Sequence, residues 1–175
     1  MTTTQPKGRM EFKFYYAKHK SKLYFYVFRM LNDKMLTDDI VQNVFIKLYE
    51  NMNNIRNTEF IAAWIYKTAR NEVYSYLRQR KRKAEDLIDD EELFCTEALT
   101  DEMDNVELRA LIMSALETIP EEQREAYLLK EYSGFSYKEI ASLQDIDEEL
   151  VKSRLFHARK KLIAKISKVI LQYQE

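Results

Sequence analysis

The sequence is poor in the residues that interrupt helices or build catalytic sites. Among 175 residues there are only two Gly, two Pro, two His and one Cys. With so few helix breakers, the apolar stretches are predicted to form helices joined by short links. The single Cys95 excludes an internal disulfide. No phosphate-binding glycine loop or metal-spaced cluster is present, so we expect no enzymatic activity, no cofactor and no metal.

The sequence also lacks a long apolar run. Hydrophobic residues make up 46% of the chain, which is ample for a core. No stretch is long and uncharged enough to suggest a membrane span, and the N-terminus MTTTQPKGRM has no signal-peptide core. These features predict a globular cytoplasmic protein without membrane insertion, built as one medium domain or two small ones.

The formal net charge of −1 conceals a sharp segregation of charge. Residues 80–83 are all cations, whereas residues 84–104 hold ten acidic side chains and no Lys or Arg. A polyanionic stretch of weak periodicity is predicted to be an extended or partly helical linker. The predicted fold is all-α, with two small helical domains joined by an acidic linker. The predicted segments are a disordered tail (1–9), an N-terminal domain (10–83), the linker (84–103) and a C-terminal domain (104–175).

The most informative stretch of the N-terminal domain is residues 60–83, FIAAWIYKTARNEVYSYLRQRKRK. At about 100° per residue, one side of this helix is apolar and the other carries cations with Asn71 and Tyr74 among them. Such a face suits a nucleic-acid backbone and unstacked bases, although a core helix with a solvated charged face is the alternative. Two further helices are predicted before it. One covers about residues 11–31 and is rich in packing aromatics, and the other covers about 37–52 and is capped by Thr37 or Asp38.

The C-terminal domain shows the signals of a helix-turn-helix. A helix is predicted to begin at Pro120, to run to about residue 132 and to stop at Gly134. Ser136 and Glu139 form a predicted capping box for a short helix, and Asp147 caps a long basic one. A short helix, a tight turn and a basic second helix favour DNA binding over an ordinary helical hairpin.

Two basic helical units separated by an acidic linker resemble the RNA polymerase sigma factors of the extracytoplasmic-function (ECF) group. TDDIVQNVFIKLYENM is similar to their region 2.2, and the 60–83 stretch to regions 2.3 and 2.4. LETIPEEQREAYLLKEYSGFSYKEIASLQDIDEELVKSRLFHARKKL is similar to region 4. The resemblance covers nearly all of residues 11–168. It implies a bacterial transcription initiation factor that binds core RNA polymerase and directs it to promoters through their −10 and −35 elements.

The resemblance also implies contact residues and partners. Those that dock on the clamp helices of the largest polymerase subunit are Asp38, Asp39, Gln42, Asn43, Val44, Phe45 and Ile46. Those that contact the −10 element are Ile55, Arg56, Asn57, Thr58, Lys67, Arg70, Asn71, Tyr74 and Arg78. Those that contact the −35 element are Lys152, Ser153, Arg154, Phe156, His157 and Arg159. The polymerase flap and an anti-sigma factor are further implied partners.

The chain departs from the family pattern at several of these positions. Asn43 stands where Glu is usual, Ser75 where Asp is usual and His157 where Arg is common. The basic helix opens with the acidic residues 147–149 instead of Gly-Thr, which is expected to weaken or redirect −35 contacts. The linker is expected to mimic nucleic acid inside the polymerase, to cover residues 78–83 as a lid, or to serve as a spacer.

A different class of protein also fits the C-terminal domain. A stand-alone helix-turn-helix regulator would bind duplex DNA as a dimer. Such a regulator would not need the N-terminal domain, so that domain is the feature that separates the two interpretations.

Overall fold

The computed structural model describes residues 7–55, 57–86 and 106–172. It divides the chain into two compact units, Met1–Glu91 and Glu92–Glu175. The regular structure of the described residues is entirely helical. The helices are α1 (Lys7–Leu31), α2 (Lys34–Asn51), α3 (Ile61–Asp86), α4 (Val106–Glu117), α5 (Glu121–Tyr127), α6 (Tyr137–Gln144) and α7 (Glu148–Gln172).

The N-terminal unit packs α1, α2 and α3 around one core. Its completely inaccessible apolar side chains are Leu23, Val27, Val44, Leu48, Ile61, Ile65, Ala69 and Val73. These residues recur at helical spacing, so each helix buries one face. The apolar side predicted for residues 60–83 is thereby confirmed, and Trp64 at its edge is half-buried.

Three helix ends in this unit differ from the sequence-based prediction. The predicted tail ends early, because α1 already begins at Lys7. Helix α2 begins at Lys34, since Asp33 is its N-cap and its carboxylate accepts a 2.9 Å bond from the Leu36 amide. Thr37 is buried inside the helix, where its hydroxyl donates to the Asp33 carbonyl. Helix α3 continues to Asp86, so the first three residues of the predicted linker are helical. Most of that linker, residues 87–103, lies outside the described residues.

The C-terminal unit packs α7 against α4, α5 and α6. Its completely inaccessible apolar side chains are Leu116, Ala126, Leu128, Ile140, Val151 and Ala158. Pro120 is the N-cap of α5 and not its first residue. The helix predicted to reach residue 132 changes at Leu128 to a wider π-type turn, in which the Ser133 amide donates to the Leu128 carbonyl. Gly134, with φ of 83°, ends this segment as predicted.

Candidate nucleic-acid and protein interfaces

Helix α2 presents a polar outer face beside the aromatic packing of α1. Asp38, Asp39, Gln42, Asn43 and Ile46 are all exposed, and 47% of Ile46 is accessible. This side of α2 therefore offers two carboxylates and two amides around one apolar side chain, and a polar rim around an apolar centre is the arrangement of protein interfaces.

Two residues implied for docking are in the core, which corrects the sequence-based assignment. Val44 is fully buried, and Phe45 is 3% exposed. The Phe45 ring lies 4.7 Å from that of Tyr16, centroid to centroid, in an edge-to-face arrangement. The apolar spacing of α2 already placed both residues on the inner side. Both residues therefore belong to the core beneath the outer face, and Phe45 also lines the groove beside it.

A groove of about 730 Å³ separates the exposed edges of α1 and α2. Aromatic rings from both helices line it, with Lys20, Asp38, Gln42 and Glu50 among them. Ile46 and Tyr49 lie in its wall and are 47% and 55% exposed. The polar face of α2 thus continues into an aromatic groove.

The outer face of α3 carries the residues predicted for the −10 element. Lys67, Asn71 and Arg78 are exposed, and they lie on the side opposite the buried Ile65 and Val73. In the described part of the chain, neither Lys67 nor Arg78 has a carboxylate within ion-pair distance. An exposed amide therefore lies between two cations that are available to phosphates.

An aromatic–cation pair lies beside this amide. The Arg70 guanidinium carbon is 4.5 Å from the centroid of the Tyr74 ring, and both residues are half-buried. The guanidinium lies over the ring, so the pair combines a cation with a planar aromatic side chain. An unstacked base has matching planar geometry.

The loop residues predicted to contact the −10 element differ from one another in exposure and in hydrogen bonding. Thr58 is exposed and Ile55 is half-buried, while Arg56 lies outside the described residues. The Asn57 side chain accepts a 3.0 Å bond from the Glu59 amide and caps the turn Thr58–Phe60. Asn57 thus has a structural role in ordering the entry to α3.

The helix-turn-helix predicted from sequence is confirmed in its local geometry. The Ser136 amide donates to Glu139 at 2.7 Å, and the Glu139 amide donates to the Ser136 hydroxyl, which completes the capping box. The Ser136 hydroxyl also donates to the Glu139 carboxylate at 2.7 Å, and this bond, more than the one from the Ser136 amide, lowers the pKa of Glu139. Asp145 makes the turn in the left-handed conformation with φ of 56°. Asp147 then accepts from the Leu150 amide at 2.7 Å and caps α7.

Helix α7 buries one side and exposes the other. Val151, Leu155 and Ala158 pack into the unit. The residues predicted to read the −35 element are exposed at Lys152, Ser153, Phe156, His157 and Arg159. Phe156 is 62% accessible and contacts the His157 ring edge-on.

Each predicted −35 cation is paired with a glutamate of the same chain. Lys152 Nζ lies 2.6 Å from Glu149, and Arg159 Nη2 lies 2.5 Å from Glu131. The hydrogen bond that Lys152 donates to Glu149 raises the pKa of Lys152, and the one that Arg159 donates to Glu131 raises the pKa of Arg159. Glu149 and Glu131 therefore partly neutralise the cationic surface of α7.

Arg154 takes part in a buried chain of polar contacts instead of pointing outward. One guanidinium nitrogen donates to Gln144 Oε1 at 2.8 Å, and the other lies 2.8 Å from Glu122. The amide of Gln144 donates in turn to Glu125, which is completely inaccessible. Only 14% of the Arg154 side chain is exposed. This network links α5, α6 and α7, so Arg154 holds the helix-turn-helix together and has little surface left for DNA.

Sequence reasoning missed Gln144 and Glu125 as members of this network. Both positions carried a signal, because Gln144 lies four residues after buried Ile140 and Glu125 lies three before buried Leu128. A polar residue inside an apolar helical stripe indicates a buried hydrogen-bonded group.

The described residues show neither a metal-binding cluster nor a membrane-spanning helix. No cluster of three or more His, Cys, Asp or Glu side chains there could hold a metal ion. Of the helices described, none combines the length and the apolar character needed to cross a bilayer.

The chain matches family models in both units. Residues 15–83 match sigma-70 region 2, and residues 109–162 match sigma-70 region 4. Among solved structures, the sigma factor RpoE from Bartonella quintana, in complex with the anti-sigma factor NepR, is similar with a TM-score of 0.75 and 25% identity. That match covers 90% of this chain and 97% of the other. CnrH, solved with the cytosolic domain of CnrY, shares the fold with a TM-score of 0.63 and 20% identity.

Curated relatives agree with these matches. The chain is 32% identical over 142 residues to the ECF RNA polymerase sigma-E factor of Escherichia coli K12, covering 75% of this chain and 74% of the relative. It is 28% identical over 152 residues to the RNA polymerase sigma-H factor of Pseudomonas aeruginosa, covering 81% and 79%. The chain therefore belongs to the ECF group of sigma-70-family sigma factors, the transcription initiation factors that bind core RNA polymerase and direct it to specific promoters.

Proposed function

We propose that this sigma factor works through three surfaces on two domains, residues 10–83 and 104–175, joined by the acidic linker. The outer face of α2 with its groove docks on the clamp helices of core polymerase. The outer face of α3 binds the −10 element, and the outer face of α7 binds the −35 element. The observation that carries the proposal is that most side chains implied for binding are exposed on one face of a helix whose opposite face builds the core.

The docking assignment is supported by the composition of α2. Asp39 and Gln42 supply directed polar contacts, and Ile46 supplies an apolar anchor at the edge of the groove. A partner helix that lies along α2 would bury Ile46 and satisfy the amides without any rearrangement of the core. Phe45 acts here as the support beneath the surface.

The −10 assignment is supported by the chemistry of the outer face of α3. Melting exposes base edges and planar base faces. Asn71 can bond a base edge with both its donor and its acceptor, while the Arg70–Tyr74 pair can stack on a base. Lys67 and Arg78 would hold the neighbouring phosphates. Unstacking costs a few kcal/mol per base, which these contacts would offset.

The −35 assignment is supported by the exposed edge of α7. Lys152, Ser153, Phe156 and His157 repeat at the spacing that one side of a recognition helix presents to a major groove. Arg154 is a positioning residue in this proposal, since it is engaged by Gln144 and Glu122. Its role is to fix the angle at which α7 leaves the turn.

The wider biological setting is also part of the proposal. The chain acts in the cytoplasm, where core polymerase is found, and it has no catalytic activity of its own. Because the RpoE structure from Bartonella quintana contains the anti-sigma factor NepR, we extend the same class of regulator to this chain. An anti-sigma factor would compete for the α2 or α7 surfaces.

The docking surface can be tested by one charge reversal. Asp39→Arg should weaken binding to core polymerase by at least about 30-fold, the size of an interface hot spot. Titration of labelled full-length protein with core enzyme measures this, and circular dichroism checks that helicity is kept. Glu148→Arg is the matched control, since it makes the same charge change on the other unit. Equal core affinity of the two variants would remove α2 from the interface.

A further inference from the structure

The outward side of α1 carries positive charge, and apart from Lys20, which lines the α1–α2 groove, none of it belongs to the three surfaces. Residues 12–32 contain no Asp or Glu, yet they include four lysines and an arginine. The four lysines, Lys13, Lys18, Lys20 and Lys22, are all exposed. The chain as a whole has a net charge of −1, whereas this helix face carries only positive charge.

The lysines form two edges around an aromatic side chain. Helical spacing places Lys13 and Lys20 along one edge, and Lys18 and Lys22 along the other. Phe14 lies between the two edges and is 59% exposed. The Lys18 ammonium is 5.7 Å from the centroid of the Phe14 ring. From Lys13 to Lys22 the face extends over about 14 Å, at about 1.5 Å per residue.

The charge of this face is uncompensated. Within the described residues, none of the four lysines has a carboxylate at ion-pair distance. The pKa of buried His19 is lowered first by burial and then by the positive charges of Lys18 and Lys22. Lys20 differs from the other three, because its hydrogen bond with Tyr16 and then the negative charge of Asp38 raise its pKa. A positive field therefore persists along the outward side of α1.

The chemistry of the face selects among polyanions. An anionic membrane would need a continuous apolar stripe, whereas Phe14 is the large apolar side chain at the centre of a face flanked by Ala17 and Ser21. An exposed aromatic ring between rows of cations suits a strand whose phosphates and unstacked bases alternate. Because the protein directs polymerase to promoters, it works where DNA is melted.

We propose that the outward face of α1, defined by Lys13, Phe14, Lys18 and Lys22, binds single-stranded DNA without regard to base sequence. The lysines hold phosphates, and Phe14 stacks on one base. This contact is separate from the outer face of α3. The match to sigma-70 region 2 begins at residue 15, so Lys13 and Phe14 lie outside the part of the chain that the family model describes.

The test uses holoenzyme assembled from core polymerase and the full chain. The probe is a premelted promoter fragment that contains the −10 element and ends before the −35 element. For the triple change Lys13→Gln, Lys18→Gln and Lys22→Gln, the slope of log K against log salt should become shallower by about 2, at about 0.7 per phosphate contact. Affinity at moderate salt should fall at least about tenfold, equally for probes with altered −10 sequences.

Two further variants of this face separate the effect of charge from the effect of stacking. The triple change to Arg keeps the charge and should keep both affinity and slope. Phe14→Ala should lower affinity by about fivefold or more without changing the slope, because a stacked base carries no charge of its own. A control that changes Lys161, Lys165 and Lys168 to Gln removes the same charge from exposed sites on α7 and should leave this probe unaffected.

Three results would overturn the proposal. An unchanged salt slope with weaker core binding would make the face a protein contact. An unchanged slope with charge-dependent binding of the free chain to phosphatidylglycerol vesicles would make it a lipid contact. No change in any of these measurements would make it a solvated surface. Asn71→Ala on the same probe reports separately on the proposed −10 function, because it should alter sequence discrimination, which the lysine changes should not.

Discussion

The two basic helices α3 and α7 differ in whether the cations predicted to bind DNA are paired with carboxylates. On α3, Lys67 and Arg78 are exposed with no carboxylate at ion-pair distance among the described residues. On α7, by contrast, Lys152 and Arg159 each contact a glutamate, and Arg154 is held inside the unit. A phosphate that approaches α3 meets available cations. One that approaches Lys152 or Arg159 of α7 must compete with a glutamate that is already bound.

This difference predicts different physical roles for the two helices. Contacts from the α3 cations should be strong and dependent on salt, which suits a helix that holds a melted strand, while Asn71 supplies the base discrimination. Contacts from α7 should gain less from charge, because each freed glutamate takes up a cation from solution. Discrimination by α7 then depends more on the shape and orientation of the helix than on attraction. The buried network around Arg154 fixes that orientation.

The largest expected effect separates Arg154 from its neighbour Lys152. Arg154→Ala removes bonds to Gln144 and Glu122 and should lower the free energy of unfolding of the C-terminal unit by about 1.5–3 kcal/mol. Chemical denaturation of the full chain, followed by probes in each unit, measures this. Lys152→Ala should leave stability unchanged and weaken only −35 binding.

The outcome for Arg154 can contradict its assignment as a positioning residue. If Arg154→Ala leaves stability unchanged and lowers −35 affinity at one base pair only, Arg154 is a direct base contact. Arg154→Lys is a further control, because it keeps the charge but cannot bond both partners in the same fork geometry. It should lose most of the stability that Arg154→Ala loses.

The second effect concerns the glutamates that neutralise α7. Changing Glu131 and Glu149 to Gln should free Arg159 and Lys152 for phosphates, raise −35 affinity several-fold and steepen the salt slope by up to about 1.8. Sequence discrimination at the −35 element should flatten at the same time. Fluorescence anisotropy of holoenzyme on −35 duplexes at several salt concentrations measures both quantities.

Glu148 offers a matched control for this change. It lies beside Glu149 in the first turn of α7 and is exposed. Its charge is expected to favour the positive end of the helix by about 0.3–1 kcal/mol. Glu148→Gln should therefore alter −35 binding less than Glu149→Gln does. Lower −35 affinity in the Glu131 and Glu149 variant would show instead that these acids contact DNA directly.

The smallest effect is a pH dependence confined to the helix-turn-helix. The pKa of Glu139 is lowered in the folded protein, chiefly by the hydrogen bond with Ser136. A lowered folded-state pKa means that the carboxylate stabilises the fold above its ordinary pKa of 4.5, and that this contribution disappears as the pH falls below that value. Ser136→Ala should cost about 1 kcal/mol at neutral pH and reduce this acid dependence. Equal acid sensitivity of the wild-type and Ser136→Ala proteins would remove the capping box as its source.

Local signals in the sequence predicted much of this structure. The apolar periodicity of residues 60–83, the stop at Gly134 and the pair Ser136 and Glu139 depend on neighbours within a few residues. Such patterns can be interpreted without knowledge of packing. The cap of α2 was misassigned because Asp33, Thr37 and Asp38 are all chemically able to cap a helix. Only the fold decides which of the three has the extended backbone that a cap requires.

The pairing of side chains across helices could not be predicted in the same way. The contacts of Arg159 with Glu131 and of Arg154 with Glu122 join residues that are 28 and 32 positions apart. Their existence depends on how α5 and α7 cross, which no local pattern encodes. For this reason the position of Arg154 in a motif predicted a DNA contact, whereas its contacts in the fold give it a structural role.

The division of labour between α3 and α7 can be tested most directly by transcription from a promoter library. Positions in the −10 and −35 elements are randomised, and run-off products of holoenzyme are sequenced for wild type, Asn71→Ala and Lys152→Ala. Asn71→Ala should lose about 1–3 kcal/mol of discrimination at one −10 base and keep its −35 preferences. Lys152→Ala should weaken the −35 preference and leave the −10 profile intact. If either variant changes both profiles equally, or neither profile moves, the two helices do not read separate elements.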